Sequence, residues 1–398
     1  MNKNVEKLYR LSGKASRTII GLMSGTSLDG LDIAHCTITG FGRDTNLRLD
    51  HFKTVPYSSE IKEEIRGVFA KKMVDLEQLT LLNPWLAILH GKWILEALEE
   101  WGISPSAVDL IASHGQTIFH APKIYHDRTQ YDNGTLQIGD GDHVARTTGI
   151  ITISDFRQKH IAAGGEGAPL ALYGDYLLFS KQGESRLLLN MGGIANFTFL
   201  PTSQDAEQVL VTDTGPGNTM IDAFAQHHFG IPFDKDAALA LQGKVHDALL
   251  TELKSDPFFK LSIPKTTGPE LFNLEYLRRA REKSGTGSAN PHDILATLTH
   301  FSANTISMAI EEVLNREPID AIFTSGGGAH NPLLMDLISR TFPTIRVATT
   351  DELNISGDAK EAVLFAVLAN EAVAGGPIRF GERKGIPAVT MGKISFPD

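Results

Sequence analysis

The chain has 398 residues, 42% hydrophobic and 21% charged, with a net charge of −10. Single cores stop growing at about 250–300 residues, so this length asks for two domains. The acidic balance excludes an extended nucleic-acid interface, which needs a basic face, and no run approaches the ~18–20 apolar residues of a membrane span.

The one cysteine, Cys36, excludes an intrachain disulfide and a cysteine-rich zinc site. It lies in an apolar run with Ile33 and Ala34 and reads as buried filler. Residues 1–17 carry Lys3, Lys7, Arg10, Lys14 and Arg17 without an apolar segment, so they read as a flexible tail and not as a secretory signal. These features together suit a soluble protein of a reducing compartment.

From Thr18 to Ile38 an apolar run breaks at Ser24-Gly25-Thr26-Ser27 and resumes, which predicts a hairpin with small residues at its tip. Leu47–Val55 alternates as a third strand, and Ser59–Trp101 is helical, with leucines spaced for a buried face. Short buried strands are expected at 109–113, ending at His114-Gly115-Gln116-Thr117, then at 136–140 and 150–155. The second half repeats this order. A hairpin broken at Gly192-Gly193 spans 186–199, and a strand at 209–212 ends at Asp213-Thr214-Gly215-Pro216-Gly217-Asn218. A helix over 293–314 precedes a buried strand at 321–325 that ends at Gly326-Gly327-Gly328. Duplicated α/β halves set a ligand cleft between them. The expected division is a domain over 18–157 and another over 158–398, with 162–169 in the linker. A final helix at about 358–374 returns to the first half.

Ser24, Gly25, Thr26, Ser27, Leu28, Asp29, Gly30 and Leu31 form the first candidate site. A glycine tip exposes backbone N–H groups and leaves room for an anion, hydroxyls add donors, and Asp29 is a hard ligand for Mg²⁺. An ordinary turn of the same composition remains open. It is not a Walker loop, because no Gly-Lys-Ser/Thr follows. Gly192 and Gly193 make the matching tip, and two such tips suit the clamping of one polyphosphate. Asp213 reads either as a general base fixed by a sheet or as a capping carboxylate. Gly326, Gly327 and Gly328 suit a flat adenine ring or a strand-to-helix turn that needs positive φ. His114, Gln116 and Gln137 suit sugar hydroxyls, and the His114/His120 spacing does not suit a metal. Arg157, close after Asp155, reads as a partner for a substrate carboxylate or as a linker salt bridge.

The ordered set resembles the anhydro-N-acetylmuramic acid kinase family. It runs from Gly21-Leu22-Met23-Ser24-Gly25-Thr26-Ser27-Leu28-Asp29-Gly30-Leu31-Asp32 through His114-Gly115-Gln116-Thr117, Gln137-Ile138-Gly139-Asp140 and Asp155-Phe156-Arg157. It continues through the Gly192, Asp213 and Gly326 motifs to Lys360-Glu361-Ala362. The resemblance implies an α/β protein with two actin-like ATPase (ribonuclease H-like) domains flanking a nucleotide cleft, using ATP and Mg²⁺ in a bacterial cytoplasm. It implies that 1,6-anhydro-N-acetylmuramic acid is opened by water and phosphorylated at O6 during peptidoglycan recycling. Asp213 would be the base, Asp155 and Glu361 would serve the sugar site, and a homodimer stays open. The alternatives are an ordinary sugar kinase of the same fold and a non-catalytic actin-like ATP-binding protein. Four positions depart from the expected family pattern: His160 in place of Asp, Glu166 in place of Gln, Pro269 in place of a basic residue and Ala237 in place of Gly. None is expected to touch Asp213 or the tips.

Overall fold

A computed structural model describes every residue except 1, 124, 125, 127, 169, 354 and 382–384. Position 169, the end of the expected linker, therefore lies outside the described residues. The backbone divides into two compact units, Met1–Leu178 with Asn354–Asp398, and Phe179–Leu353.

The first unit opens with helix α1 (Lys3–Ser12), where a flexible tail was expected. Asn2 caps it by accepting from the Asn4 N–H at 2.8 Å, and Leu11 is buried beneath it. Strands β1 (Ser16–Ser24), β2 (Gly30–Thr39) and β3 (Asn46–Pro56) follow as an antiparallel meander. Helices α2 (Ser59–Val68) and α3 (Leu76–Glu100) begin at Ser58 and Asp75, whose side chains accept from first-turn N–H groups. Strand β4 (Leu110–Ala121) runs parallel to β1 and past the expected end at 113. Then come β5 (Gly134–Ile138), α4 (Gly141–Thr148), β6 (Thr152–Ser154), α5 (Phe156–Ala162) and α6 (Ala171–Phe179).

The second unit carries the hairpin β7 (Arg186–Met191) and β8 (Ile194–Leu200), then β9 (Leu210–Pro216) and α7 (Thr219–Phe229). Helices α8 (Asp247–Leu253), α9 (Leu274–Lys283) and α10 (Pro291–Leu314) form an aromatic-rich core with α7. Strand β10 (Ala321–Ser325), helix α11 (Pro332–Thr341) and strand β11 (Arg346–Thr349) complete it. The chain then returns to the first unit as α12 (Lys360–Val373) and β12 (Lys393–Ser395).

Among the described residues the sheet orders are β12-β6-β4-β1-β2-β3, with β5 on β4, and β11-β10-β7-β8-β9. With β5 set aside, the first unit runs β3-β2-β1-β4-β6 and the second β9-β8-β7-β10-β11: in each, an antiparallel three-strand meander, then two strands parallel to the first. This is the ribonuclease H-like order. The duplication anticipated from the glycine-tipped hairpins is therefore a duplication of topology.

Two expectations about the units need correction. The observed break follows Leu178, because α6 packs on α12: Gly174 lies where a Cβ would approach a Leu364 methyl to 2.5 Å, and Asp175 meets Lys360 at 2.8 Å. The return also includes β12, which pairs with β6. Gly21 permits the close approach of α12, since a Cβ there would stand 2.0 Å from the Ala362 carbonyl oxygen. Arg17, almost wholly buried, ties the same helix down by donating to Asn370 Oδ1 at 2.6 Å and to the Gly40 carbonyl at 2.9 Å. Cys36 is buried in β2, and burial pushes its thiol pKa far up, so it is inert filler as expected.

Candidate active site

In the first unit the Ser24–Gly30 turn links β1 to β2. Thr26, Ser27 and Asp29 are exposed and Gly25 is half-buried, so the tip is open to a ligand. Leu28 and Leu31 are core residues, 4% and 1% exposed, and contribute only backbone there. Gly30 is a packing position, since a Cβ would meet the Val55 carbonyl oxygen at 2.3 Å. Asp29 accepts from Ser27 Oγ at 2.7 Å. Asp32 lies nearby and accepts from Thr54 Oγ1 at 2.6 Å. Its carboxyl pKa is raised, by desolvation first and then by Asp29 and Asp358, with the Thr54 bond opposing. Asp29 and Asp32 offer hard carboxylate oxygens to a divalent cation, and no group of three or more metal-ligating side chains gathers among the described residues.

Arg157, on α5, is the hub of a second cluster. Its Nε donates to His114 Nε2 at 2.8 Å and its Nη1 to the Gly167 carbonyl at 2.7 Å. His114 also donates from Nδ1 to the Gly115 carbonyl at 2.8 Å, a contact made by the positive φ of Gly115. Burial, and then Arg157, push its pKa to about 3, so it stays neutral and can accept from a cation. Both ring nitrogens are occupied, and His114 therefore orients Arg157, where a sugar contact was expected. His160, one of the departures, accepts the Gly167 N–H on Nδ1 at 3.0 Å and so anchors the loop whose carbonyl holds Arg157. Glu361, at the start of α12, is open to solvent at its surface but surrounded by enough protein that desolvation raises its pKa. Arg157 opposes that rise, while Asp32 and Asp29 add to it.

Two further expected sugar ligands are placed otherwise. Gln116 is fully buried, and its amide is consumed by Ser24 and by the Gly25 and Thr117 carbonyls. Asp155 is paired with Lys393 and sits at φ 57° before α5. Gln137 keeps a ligand's possibility: Nε2 donates to Thr135 Oγ1 at 2.8 Å and Thr117 Oγ1 at 3.2 Å, while its buried Oε1 has no partner among the described residues.

In the second unit the Gly192-Gly193 tip is clasped from one side. The Asn218 N–H donates to the Gly192 carbonyl at 2.8 Å, and the Gly217 and Thr219 N–H groups to the Gly193 carbonyl at 2.8 and 3.1 Å. With its carbonyls turned inward, the tip presents N–H groups on its exposed side. Gly326 reaches φ 79° and is exposed, as is Gly327, but Gly328 is buried where a Cβ would approach Met191 Cβ to 2.6 Å. Only one of the three glycines needs positive φ; the third is there for packing.

Asp213 lies within β9, not at its end, opposite Asn196 where the β8–β9 register shifts. Its N–H donates to the Lys265 carbonyl and its Oδ2 accepts the Thr267 N–H, both at 2.9 Å. Its Oδ1 has no hydrogen-bond partner among the described residues. Desolvation raises its pKa, the Thr267 bond opposes and Glu270 adds to the rise. The Thr266–Pro269 segment thus supports Asp213, and Pro269, expected to lie clear of it, stands two residues from its partner.

The family model described as anhydro-N-acetylmuramic acid kinase matches residues 17–395. The chain belongs to that family. A relative from Pseudoalteromonas atlantica, described as an anhydro-N-acetylmuramic acid kinase, is 57% identical over 401 residues, covering all of both chains. One from Pseudoalteromonas translucida is 51% identical over 401 residues, again covering both chains. One from Caldanaerobacter subterraneus is 38% identical over 396 residues, covering 98% of this chain and all of its own. Neither of the alternative readings is favoured by these matches.

Four polar residues beside these positions were not among the candidates read from the sequence. Asp32 stands at the end of the first motif; Tyr57, His90 and Thr267 stand 33 or more residues from their hydrogen-bond partners Ser24, Tyr57 and Asp213. No local spacing marks them. Tyr57 and His90 connect to Ser24, and Thr267 to Asp213, only through tertiary hydrogen bonds.

Proposed function

We propose that this kinase opens the anhydro bridge of 1,6-anhydro-N-acetylmuramic acid with water and transfers the γ-phosphoryl group of ATP to O6. The products are ADP and N-acetylmuramic acid 6-phosphate, and the place of action is the ATP-supplied bacterial cytoplasm, in peptidoglycan recycling. The observation that carries this reading is Asp213, a carboxylate with one oxygen pinned by a backbone N–H and the other free. Strand β9 fixes it, and a raised pKa makes it a better base than an ordinary surface aspartate.

Asp213 takes the proton of a water whose oxygen bonds to C1. The C1–O6 bond breaks, and O6, gaining its electron pair, accepts the phosphoryl group as the bond to ADP breaks. Phosphoryl transfer requires mostly positioning and charge stabilisation. The N–H groups of the two glycine tips serve the phosphates, and exposed Gly326-Gly327 leaves backbone open for the base. Asp29 and Asp32 would hold Mg²⁺ together with phosphate oxygens, and the ion supplies neutralisation of phosphate charge. Arg157 is preoriented by His114 and Gly167 to pair the lactyl carboxylate, with Glu361 and Gln137 Oε1 as acceptors for sugar hydroxyls. No helix among the described residues is long and apolar enough to cross a membrane.

Incubation with Mg-ATP and the anhydro sugar in ¹⁸O-water tests the reaction. Label at C1 of a 6-phosphorylated product is expected; unlabelled or still-bridged product would overturn it.

A further inference from the structure

We propose that Tyr57 and His90 are positioning residues for the first phosphate tip. With Ser24 and Gln116 they form a one-way hydrogen-bond chain that keeps the Gly25 carbonyl turned away from the nucleotide. This rests on reading Gly25-Thr26-Ser27 as a phosphate-binding turn.

The direction of the chain follows from counting protons. Gln116 Nε2 lies 3.0 Å from the Gly25 carbonyl and 3.1 Å from the Thr117 carbonyl. Carbonyls only accept, so the amide has one possible orientation and Oε1 must accept. It accepts from Ser24 Oγ at 2.5 Å. A serine hydroxyl has one hydrogen, now used, so the Tyr57 hydroxyl 2.6 Å away must donate to it. The tyrosine proton is used in turn, and His90 Nε2 at 2.9 Å must donate to Tyr57. Every side chain in the series is buried, with His90 and Gln116 at 0% exposure. His90 Nδ1 has no partner among the described residues, and burial holds the ring pKa at about 3, so the neutral Nε2–H tautomer persists. Stacking of His90 against Tyr57 and Trp93, with centroids 6.2 and 5.9 Å apart, fixes the ring planes.

The end of the chain acts on one peptide group. The Gly25 oxygen accepts from Gln116 and, at 3.4 Å, from the Leu28 N–H. A trans peptide sends its oxygen and its N–H in opposite directions, so an inward Gly25 oxygen sends the Thr26 N–H outward. A flip of that peptide would present a carbonyl to the phosphates. The relay opposes the flip from a distance, without touching the ligand.

The test measures ADP dissociation constants by calorimetry without sugar, alongside KM for the anhydro sugar and thermal melts. His90→Leu should weaken ADP about three- to tenfold and Gln116→Glu, which cannot donate to Gly25, about tenfold or more, with sugar KM unchanged. His90→Gln, close in volume to leucine but restoring an N–H donor, should recover most of the lost affinity. If ADP binding is unchanged in all three, if His90→Gln is as weak as His90→Leu, or if sugar KM rises while ADP binding holds, the proposal fails. If Gln116→Glu does not fold, the two His90 variants decide. A wild-type protein that does not bind ADP would instead sink the phosphate reading of the turn.

Discussion

The two glycine-tipped hairpins have the same place in the same topology and are held by different means. The tip at Gly25 is held by side chains, through Gln116, Ser24, Tyr57 and His90. The tip at Gly192-Gly193 is held by backbone, through the N–H groups of Gly217, Asn218 and Thr219. Duplicated topology therefore preserves what each tip offers, outward N–H groups, without preserving how it is secured. In the first unit sensitivity to substitution should lie in buried polar side chains. In the second it should lie in glycines.

The largest expected effect tests the asymmetry of chemistry. Asp213→Asn should lower kcat by about 10²–10⁴-fold with ADP affinity kept, because one general base is worth that much. Unchanged turnover would remove Asp213 from its role. Next, Arg157→Ala should raise the sugar KM by about 10–100-fold while ADP binding stays the same, the scale of a lost charge-assisted hydrogen bond. Equal losses for both ligands would mean that Arg157 is only structural.

The tips themselves are compared by alanine. In Gly217→Ala the new Cβ would stand 2.3 Å from the Gly192 carbonyl oxygen, a clash expected to cost about 1–3 kcal/mol in thermal or denaturant unfolding. In Gly25→Ala the nearest atom is Ser27 Oγ at 3.7 Å, so stability should change by less than about 0.5 kcal/mol. Its methyl should still weaken ADP by occupying the anion's approach. A destabilised Gly25→Ala with normal ADP affinity would reverse the contrast.

The smallest effect is a shift in pH dependence. The raised pKa of Asp213 should set the acid limb of kcat/KM above the ordinary aspartate value of about 3.9, with activity falling as pH drops through it. The folded carboxyl also binds its proton more tightly than the unfolded one. Its contribution to stability is thus present below the ordinary aspartate pKa and lost as pH rises through the folded value. Asp213→Asn should accordingly melt no lower than wild type at neutral pH, and a clear drop would contradict the desolvated carboxylate.

Much of the fold could be read from periodicity. The hairpins, the helix expected over 293–314 and the buried strand before Gly326 lie within a few residues of their expected bounds, while the helical stretch expected over Ser59–Trp101 is two helices, Ser59–Val68 and Leu76–Glu100. The misreadings share a cause: they needed distant contacts. Residues 1–17 look like a tail until Asn370 and Gly40 are seen to receive Arg17. Residues 158–178 look like the second half until Gly174 is seen against Leu364. Asp213 and the two tips stood out as candidates because turn glycines and a strand carboxylate carry a local signature. Gln116 and His114, read as sugar contacts, already have partners within the protein, and a motif shows a polar residue without showing what already satisfies it.

Sequence alone determined the family, the duplicated α/β order and the candidate residues for chemistry, because turn glycines, strand alternation and motif order are local properties of the chain. Tertiary structure decided which polar groups are free and which are consumed. Hydrogen-bond capacity is finite, and whether Gln116 Nε2 or Asp213 Oδ1 has any left depends on residues tens of positions away. That accounting ties Gln116 to the Gly25 carbonyl and leaves Asp213 Oδ1 without a hydrogen-bond partner among the described residues.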